Sequence, residues 1–219
     1  MRDEATSIRV KVCGVTSIAD AIMCAQAGVQ IIGLNFARQS RRYICEERAA
    51  ELVARVRGRF PAMDFAGVFV NEEPENVAAL VTGLKLAAVQ LHGDEAPEYA
   101  RALRAHFVIK AFRVGPEYDE SAAAQYPADA ILLDSWNPDC RGGTGETLDW
   151  SVAASLSRRI NRVVLAGGLT GQNVSGAIRV VHPWAVDVCS GVEDAAGQKS
   201  AAKLRSFIQA VREAAVLAA

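Results

Sequence analysis

Cys13 closes the run Ile8-Arg9-Val10-Lys11-Val12-Cys13-Gly14, where a strand-like segment stops at a glycine. A thiol at a strand's carboxyl end sits where parallel α/β proteins place chemistry, and as a thiolate it can act as a base. Free cysteine is also a common small core residue, so position alone leaves both readings open. Asp134 follows the apolar triplet Ile131-Leu132-Leu133. A carboxyl group in that setting can be partly desolvated, which raises its pKa and suits a general acid. An aspartate that caps a turn is the plainer alternative.

Gly167-Gly168 and Cys189-Ser190-Gly191 end two further apolar runs. Glycines let the backbone approach a ligand and turn its amides inward, and the last two loops of a barrel frequently hold phosphate. Asp187 adjoins the second of these loops, a place suited to holding sugar hydroxyls. His92 lies in Gln90-Leu91-His92-Gly93-Asp94-Glu95 and reads as a hydrogen-bonding residue that supports the site. Arg38, Arg41 and Arg42 offer forks that match a carboxylate, or form a solvated basic loop. Trp150 and Trp184 read as packing residues; Trp136, two positions after Asp134, is the exception to follow.

These residues must be positioned by regular elements. Strand patterns fall at 8–13, 30–36, 65–70, 86–91, 107–112, 130–134, 162–166 and 185–188. Helical patterns follow them at 17–27, 46–57, Pro74–Val81, 96–105, 119–125, 150–157, 171–181 and 200–216. Ser17 suits an N-cap, Gly28 a helix stop and Pro74 a first turn. Eight alternating strand–helix units imply parallel pairing through right-handed crossovers. Runs such as Val163-Val164-Leu165 are apolar throughout, as strands buried on both faces are. The 219 residues fit a single compact (β/α)8 TIM barrel over 1–219, with 1–7 as a loose N-terminal extension. An open doubly wound sheet is the alternative, but no GxGxxG follows the first strand.

Composition narrows the function classes. The net charge of −1 and scattered Lys and Arg speak against nucleic-acid binding. No uncharged stretch approaches the roughly 20 residues that span a bilayer, and the first residues do not resemble a signal peptide. A cytoplasmic location is expected. The five cysteines are widely spaced without a CxxC pair, which disfavours a disulfide framework or a zinc site. His92, His106 and His182 lie on different units, so no metal is expected.

The strand exits also carry a family pattern. Val10-Lys11-Val12-Cys13-Gly14-Val15-Thr16 resembles the opening of the phosphoribosylanthranilate isomerases, usually VKICGIT. Similar matches are Gly67–Asn71, Val89–Glu95, Leu132-Leu133-Asp134, Gly142-Gly143-Thr144-Gly145, Leu165–Leu169 and Val186–Glu193, in order from about residue 8 to residue 212. The resemblance implies a (β/α)8 enzyme of tryptophan biosynthesis that needs no cofactor. It would convert N-(5-phosphoribosyl)anthranilate to the 1-deoxyribulose form by an Amadori rearrangement. Cys13 would be the base and Asp134 the acid. Arg42 would meet the anthranilate carboxylate, Asp187 the ribose, and Gly168 with Ser190 and Gly191 the phosphate; His92 joins the substrate-binding candidates. The expected partner is this phosphorylated small molecule, and the chain is expected to be a monomer or a homodimer.

The text departs from the family in three places. Asn35–Tyr43 lacks the proline of the usual FYPKSPRY-like segment, Cys189 stands for a usual serine, and Glu146 for a usual lysine. Sister barrels fit less well: an indole-glycerol-phosphate synthase needs a lysine acid, and the histidine-pathway isomerase needs an aspartate where Cys13 stands. A non-catalytic barrel that binds a phosphorylated ligand is the alternative of a different class.

Overall fold

A computed structural model describes residues 8–136 and 148–217. The GGTG segment, Cys140, Glu146 and residues 1–7 lie outside the described residues. Strands β1 (Arg9–Cys13), β2 (Ile31–Asn35), β3 (Asp64–Phe69), β4 (Ala88–Leu91), β5 (Val108–Val114), β6 (Ala130–Ser135), β7 (Val163–Leu165) and β8 (Ala185–Val188) form a closed barrel in chain order. All eight pairings are parallel, and β8 returns to β1 with Lys11 opposite Asp187. Helices α1 (Ile18–Ala27), α2 (Glu46–Arg59), α3 (Pro74–Gly83), α4 (Pro97–Ala102), α5 (Glu120–Gln125), α6 (Trp150–Ser157), α7 (Val174–Val181) and α8 (Ala201–Leu217) alternate with them.

Local chemistry places these elements. Ser17 accepts a hydrogen bond from the Asp20 amide and starts α1; Gly28, at φ 90°, ends it. Asp119 and Asp149 cap α5 and α6 in the same way. The pattern at 171–181 becomes a helix only from Val174. Asn173 accepts from the Thr170 amide and donates to the Gly168 carbonyl, which holds the preceding turn out of the helix.

Each strand alternates between two cores, because successive side chains point to opposite faces. Val10, Val12, Leu133, Leu165, Val186 and Val188 face outward into a layer shared with helix residues such as Leu52, Leu156, Ile178 and Phe207. Ile31, Ala66, Ile109, Leu132, Val164 and Ala185 face inward and fill the lower barrel. One feature has no counterpart in the sequence reading. After β8 a 3₁₀ turn (Ser190–Val192) leads into a small antiparallel ribbon, β9 (Glu193–Ala195) and β10 (Gln198–Lys199). It returns the chain to the barrel mouth before α8.

Candidate active site

The inward column of β1 reads Arg9, Lys11, Cys13, and that of β8 reads Ala185, Asp187, Cys189. Lys11 and Asp187 meet at 2.9 Å, both buried. Lys11 also interacts electrostatically with Cys13, two residues along the same face. Burial opposes its charge, but Asp187 and Cys13 raise its pKa above the ordinary lysine value, so the ammonium stays charged. Burial pushes Asp187 up to about 7, with Lys11 pulling the other way and the charges of Cys13 and Asp134 adding to the rise. Its Oδ1 is buried without a partner among the described residues and keeps its capacity to accept a hydrogen bond.

The Cys13 thiol is held well below its ordinary pKa. A hydrogen bond from Cys189 is the largest cause; burial acts against it, and Lys11 and Lys199 add favourable positive charge. Cys13 is partly exposed. The cation Lys199, brought in by the β9–β10 ribbon, donates to the Cys13 carbonyl at 2.6 Å and the Cys189 carbonyl at 3.3 Å. Glu193 holds this ammonium at 2.7 Å.

Asp134 lies at the end of β6, buried, with Oδ1 accepting from the Ser135 amide. Its Oδ2 is 3.4 Å from His92 Nε2. Gln90 Nε2 stands 2.9 Å from His92 Nδ1. With Gln90 as donor, the proton of the neutral ring sits on Nε2 and faces Asp134. The loop carrying His92 is clamped by Glu95, which accepts from the Gly93 and Asn71 amides and from Lys110 at 2.7 Å. His92 thus stands beside Asp134 at the exit of β4. Trp136 emerges after Asp134 with 42% of its surface exposed and packs over Gly115.

The two glycine loops meet. Gly167 and Gly168 adopt φ values of 78° and 62°, open to glycine at little cost. Gly191 lies against the Leu169 carbonyl, so the loops after β7 and β8 touch. Arg42 follows β2, and its guanidinium already grips Glu193: Nε at 2.9 Å from Oε1 and Nη2 at 2.6 Å from Oε2. Arg41 points to solvent. The sequence reading missed Glu193 and Lys199, and also Gly33. A Cβ on Gly33 would come within 3.0 Å of Cys13 Cα and Sγ and 3.1 Å of Lys11 Nζ, so only glycine leaves these two their room. Glu193 had been visible only as the last letter of a motif, and Lys199 carried no signal.

No three His, Cys, Asp or Glu side chains among the described residues group as metal ligands, and no described helix is long and apolar enough to cross a membrane.

The family model of N-(5'-phosphoribosyl)anthranilate (PRA) isomerase matches residues 10–210. The N-(5'-phosphoribosyl)anthranilate isomerase of Trichlorobacter lovleyi is 44% identical over 207 residues, covering 94% of this chain and 99% of that one. The crystal structure of the Thermotoga maritima enzyme superposes with a TM-score of 0.86 at 39% identity, over 94% of this chain and 99% of that one. A phosphoribosyl anthranilate isomerase in complex with reduced 1-(o-carboxyphenylamino)-1-deoxyribulose 5-phosphate superposes with a TM-score of 0.83 at 38% identity, over 94% and 99% of the two chains. The chain belongs to the N-(5'-phosphoribosyl)anthranilate isomerase family.

Proposed function

We propose that Cys13 and Asp134 carry out the family's reaction in this chain as base and acid. The activity is the isomerisation of N-(5-phosphoribosyl)anthranilate to 1-(2-carboxyphenylamino)-1-deoxyribulose 5-phosphate, an intramolecular aldose–ketose step of tryptophan biosynthesis. One observation carries the assignment of roles: Cys13 ends the inward column of β1 and Asp134 that of β6, at the same end of one closed parallel barrel. The thiol and the carboxyl therefore share one cavity mouth.

Asp134 delivers a proton to the furanose ring oxygen. The C1′–O bond opens and leaves an iminium. The Cys13 thiolate removes the proton from C2′, and the resulting enolamine tautomerises to the ketone. Lys11 and Lys199 favour the thiolate that this step needs. Asp187, with its unpartnered Oδ1, takes a ribose hydroxyl. The touching loops at Gly168 and Ser190-Gly191 take the phosphate through backbone amides. Arg42 takes the anthranilate carboxylate. A guanidinium has five N–H donors, and Glu193 engages Nε and one side of Nη2, which fixes the fork while other donors remain for substrate. His92 holds Asp134 towards the ring oxygen. The reaction requires no cofactor, and the compartment we assign is the cytoplasm.

Complementation of a tryptophan auxotroph lacking this isomerase tests the roles. Wild type restores growth, whereas Cys13→Ser and Asp134→Asn do not. Growth with all three, or with none, defeats the assignment. The loss of the substrate's fluorescence then supplies rates.

A further inference from the structure

The reaction uses one thiol, and the barrel mouth holds two. β1 and β8 are parallel neighbours in which Val12 pairs with Val188. Cys13 ends β1 and Cys189 directly follows β8, so the two are the next residues after this pair and stand side by side. Neighbouring strands lie roughly 4.8 Å apart, and a disulfide spans Cα atoms about 4.4–6.8 Å apart. Both side chains continue the inward columns that bring Lys11 onto Asp187, and each thiol alters the titration of the other. Lys199 ties the pair together. It donates to both carbonyls and lies 4.0 Å from Cys189 Sγ. Both cysteines are partly exposed, whereas Cys24 is buried. A thiolate that is reachable, flanked by cations and next to a second thiol has the setting of a redox-responsive cysteine.

We propose that Cys13 and Cys189 form a peroxide-responsive dithiol, in which a hydroperoxide oxidises Cys13 and Cys189 resolves the product as an intramolecular disulfide. The Cys13 thiolate attacks one peroxide oxygen. The O–O bond breaks, Cys13 becomes a sulfenic acid, and the alkoxide or hydroxide leaves and takes up a proton. Cys189 then attacks the Cys13 sulfur, the S–O bond breaks, and hydroxide departs with the Cys189 proton as water. Two thiols lose two electrons and two protons, and ROOH becomes ROH and H₂O. The disulfide removes the base, so isomerisation stops until a thiol reductant restores it. It also spares Cys13 from the irreversible sulfinic acid.

The test treats the purified full chain with hydrogen peroxide, alkylates the remaining thiols and maps the peptides by mass spectrometry. The expected product is lighter by about 2 Da and joins the peptides of Cys13 and Cys189. A thiol reductant returns its activity. In Cys189→Ser, Cys13 instead gains roughly 32 Da as sulfinic acid, and recovery by reductant, relative to that variant's own untreated rate, falls by about tenfold or more. Cys140→Ser retains the wild-type response. The proposal is overturned if Cys13 stays reduced, if it links to Cys140 or another cysteine, or if Cys189→Ser recovers as wild type does. The activity arm rests on Cys13 being the base, but the peptide map does not. A cross-link in a chain without isomerase activity defeats the proposed function alone, and an active chain without the cross-link defeats the dithiol alone.

Discussion

The floor and the rim of this barrel are built from the same strands, and they solve opposite problems. The inward column of β6 climbs from Ala130 through Leu132 to Asp134, that of β8 from Ala185 through Asp187 to Cys189, and that of β4 from Ala88 through Gln90 to His92. The floor is small and apolar, and packing alone satisfies it. The rim buries Lys11, Gln90, Asp134 and Asp187, whose polar atoms need partners. Most find one; Asp187 Oδ1 and Gln90 Oε1 do not. Inside the barrel, unmet hydrogen-bonding capacity thus sits at the rim, although Tyr118, Trp150 and Ser157 outside it also keep an unpartnered buried atom.

Rim substitutions should then cost rate and floor substitutions stability. Cys13→Ser and Asp134→Asn are each expected to lower kcat by about 10²–10⁴-fold, with melting temperatures near wild type. Leu132→Ala, two residues below the acid and fully buried, is expected to cost about 2–5 kcal/mol of stability while the folded fraction keeps its kcat. Chemical denaturation and initial rates on the same samples check both. A Leu132→Ala enzyme that stays stable but loses turnover would erase the division.

Glu193 is where the two roles overlap. It neutralises Arg42 and Lys199, and despite burial their hydrogen bonds hold its carboxyl below the ordinary glutamate value. A carboxylate depressed by folding contributes stability above its unfolded pKa and loses it as pH falls through the folded one. Glu193→Gln is expected to cost about 2–4 kcal/mol at neutral pH, since it leaves two cations without their counter-ion. The gap to wild type should close as pH drops below about 4. A gap independent of pH would assign Glu193 to packing.

How much of this was legible in sequence follows the same line. The strands were, because Ile131-Leu132-Leu133 and Val163-Val164-Leu165 have both faces buried and so read as continuous apolar runs. The expected strands all form, with ends displaced by at most two residues. Cys13, Asp134 and Asp187 were legible as polar letters at the ends of those runs. The grip of Glu193 on Arg42 was not, because it joins residues 151 apart in a segment with no periodicity. Nor was Lys199, which reaches Cys13 across 186 positions by way of a short polar ribbon. Pairing across the mouth depends on barrel closure, which no local pattern encodes.

The column of β1 offers the finest test, since one strand runs from floor to rim through Arg9, Lys11 and Cys13. Lys11 lowers the pKa of Cys13, so Lys11→Met should raise it and move the acid limb of kcat/KM to higher pH, by about one unit or more. An unmoved profile would remove Lys11 from thiolate stabilisation. Arg9, two residues further down, pairs with Asp64 at 2.9 Å and stacks 5.5 Å from the Trp184 ring. These contacts are partly solvated, so Arg9→Met is expected to cost about 1 kcal/mol or less, with the pH profile unchanged. The alternation of the strand gives all three side chains the same direction, and only height in the barrel separates them. If Arg9→Met shifts the acid limb as far as Lys11→Met does, charge acts on the thiol along the whole column, and the line between floor and rim is not where the chemistry begins.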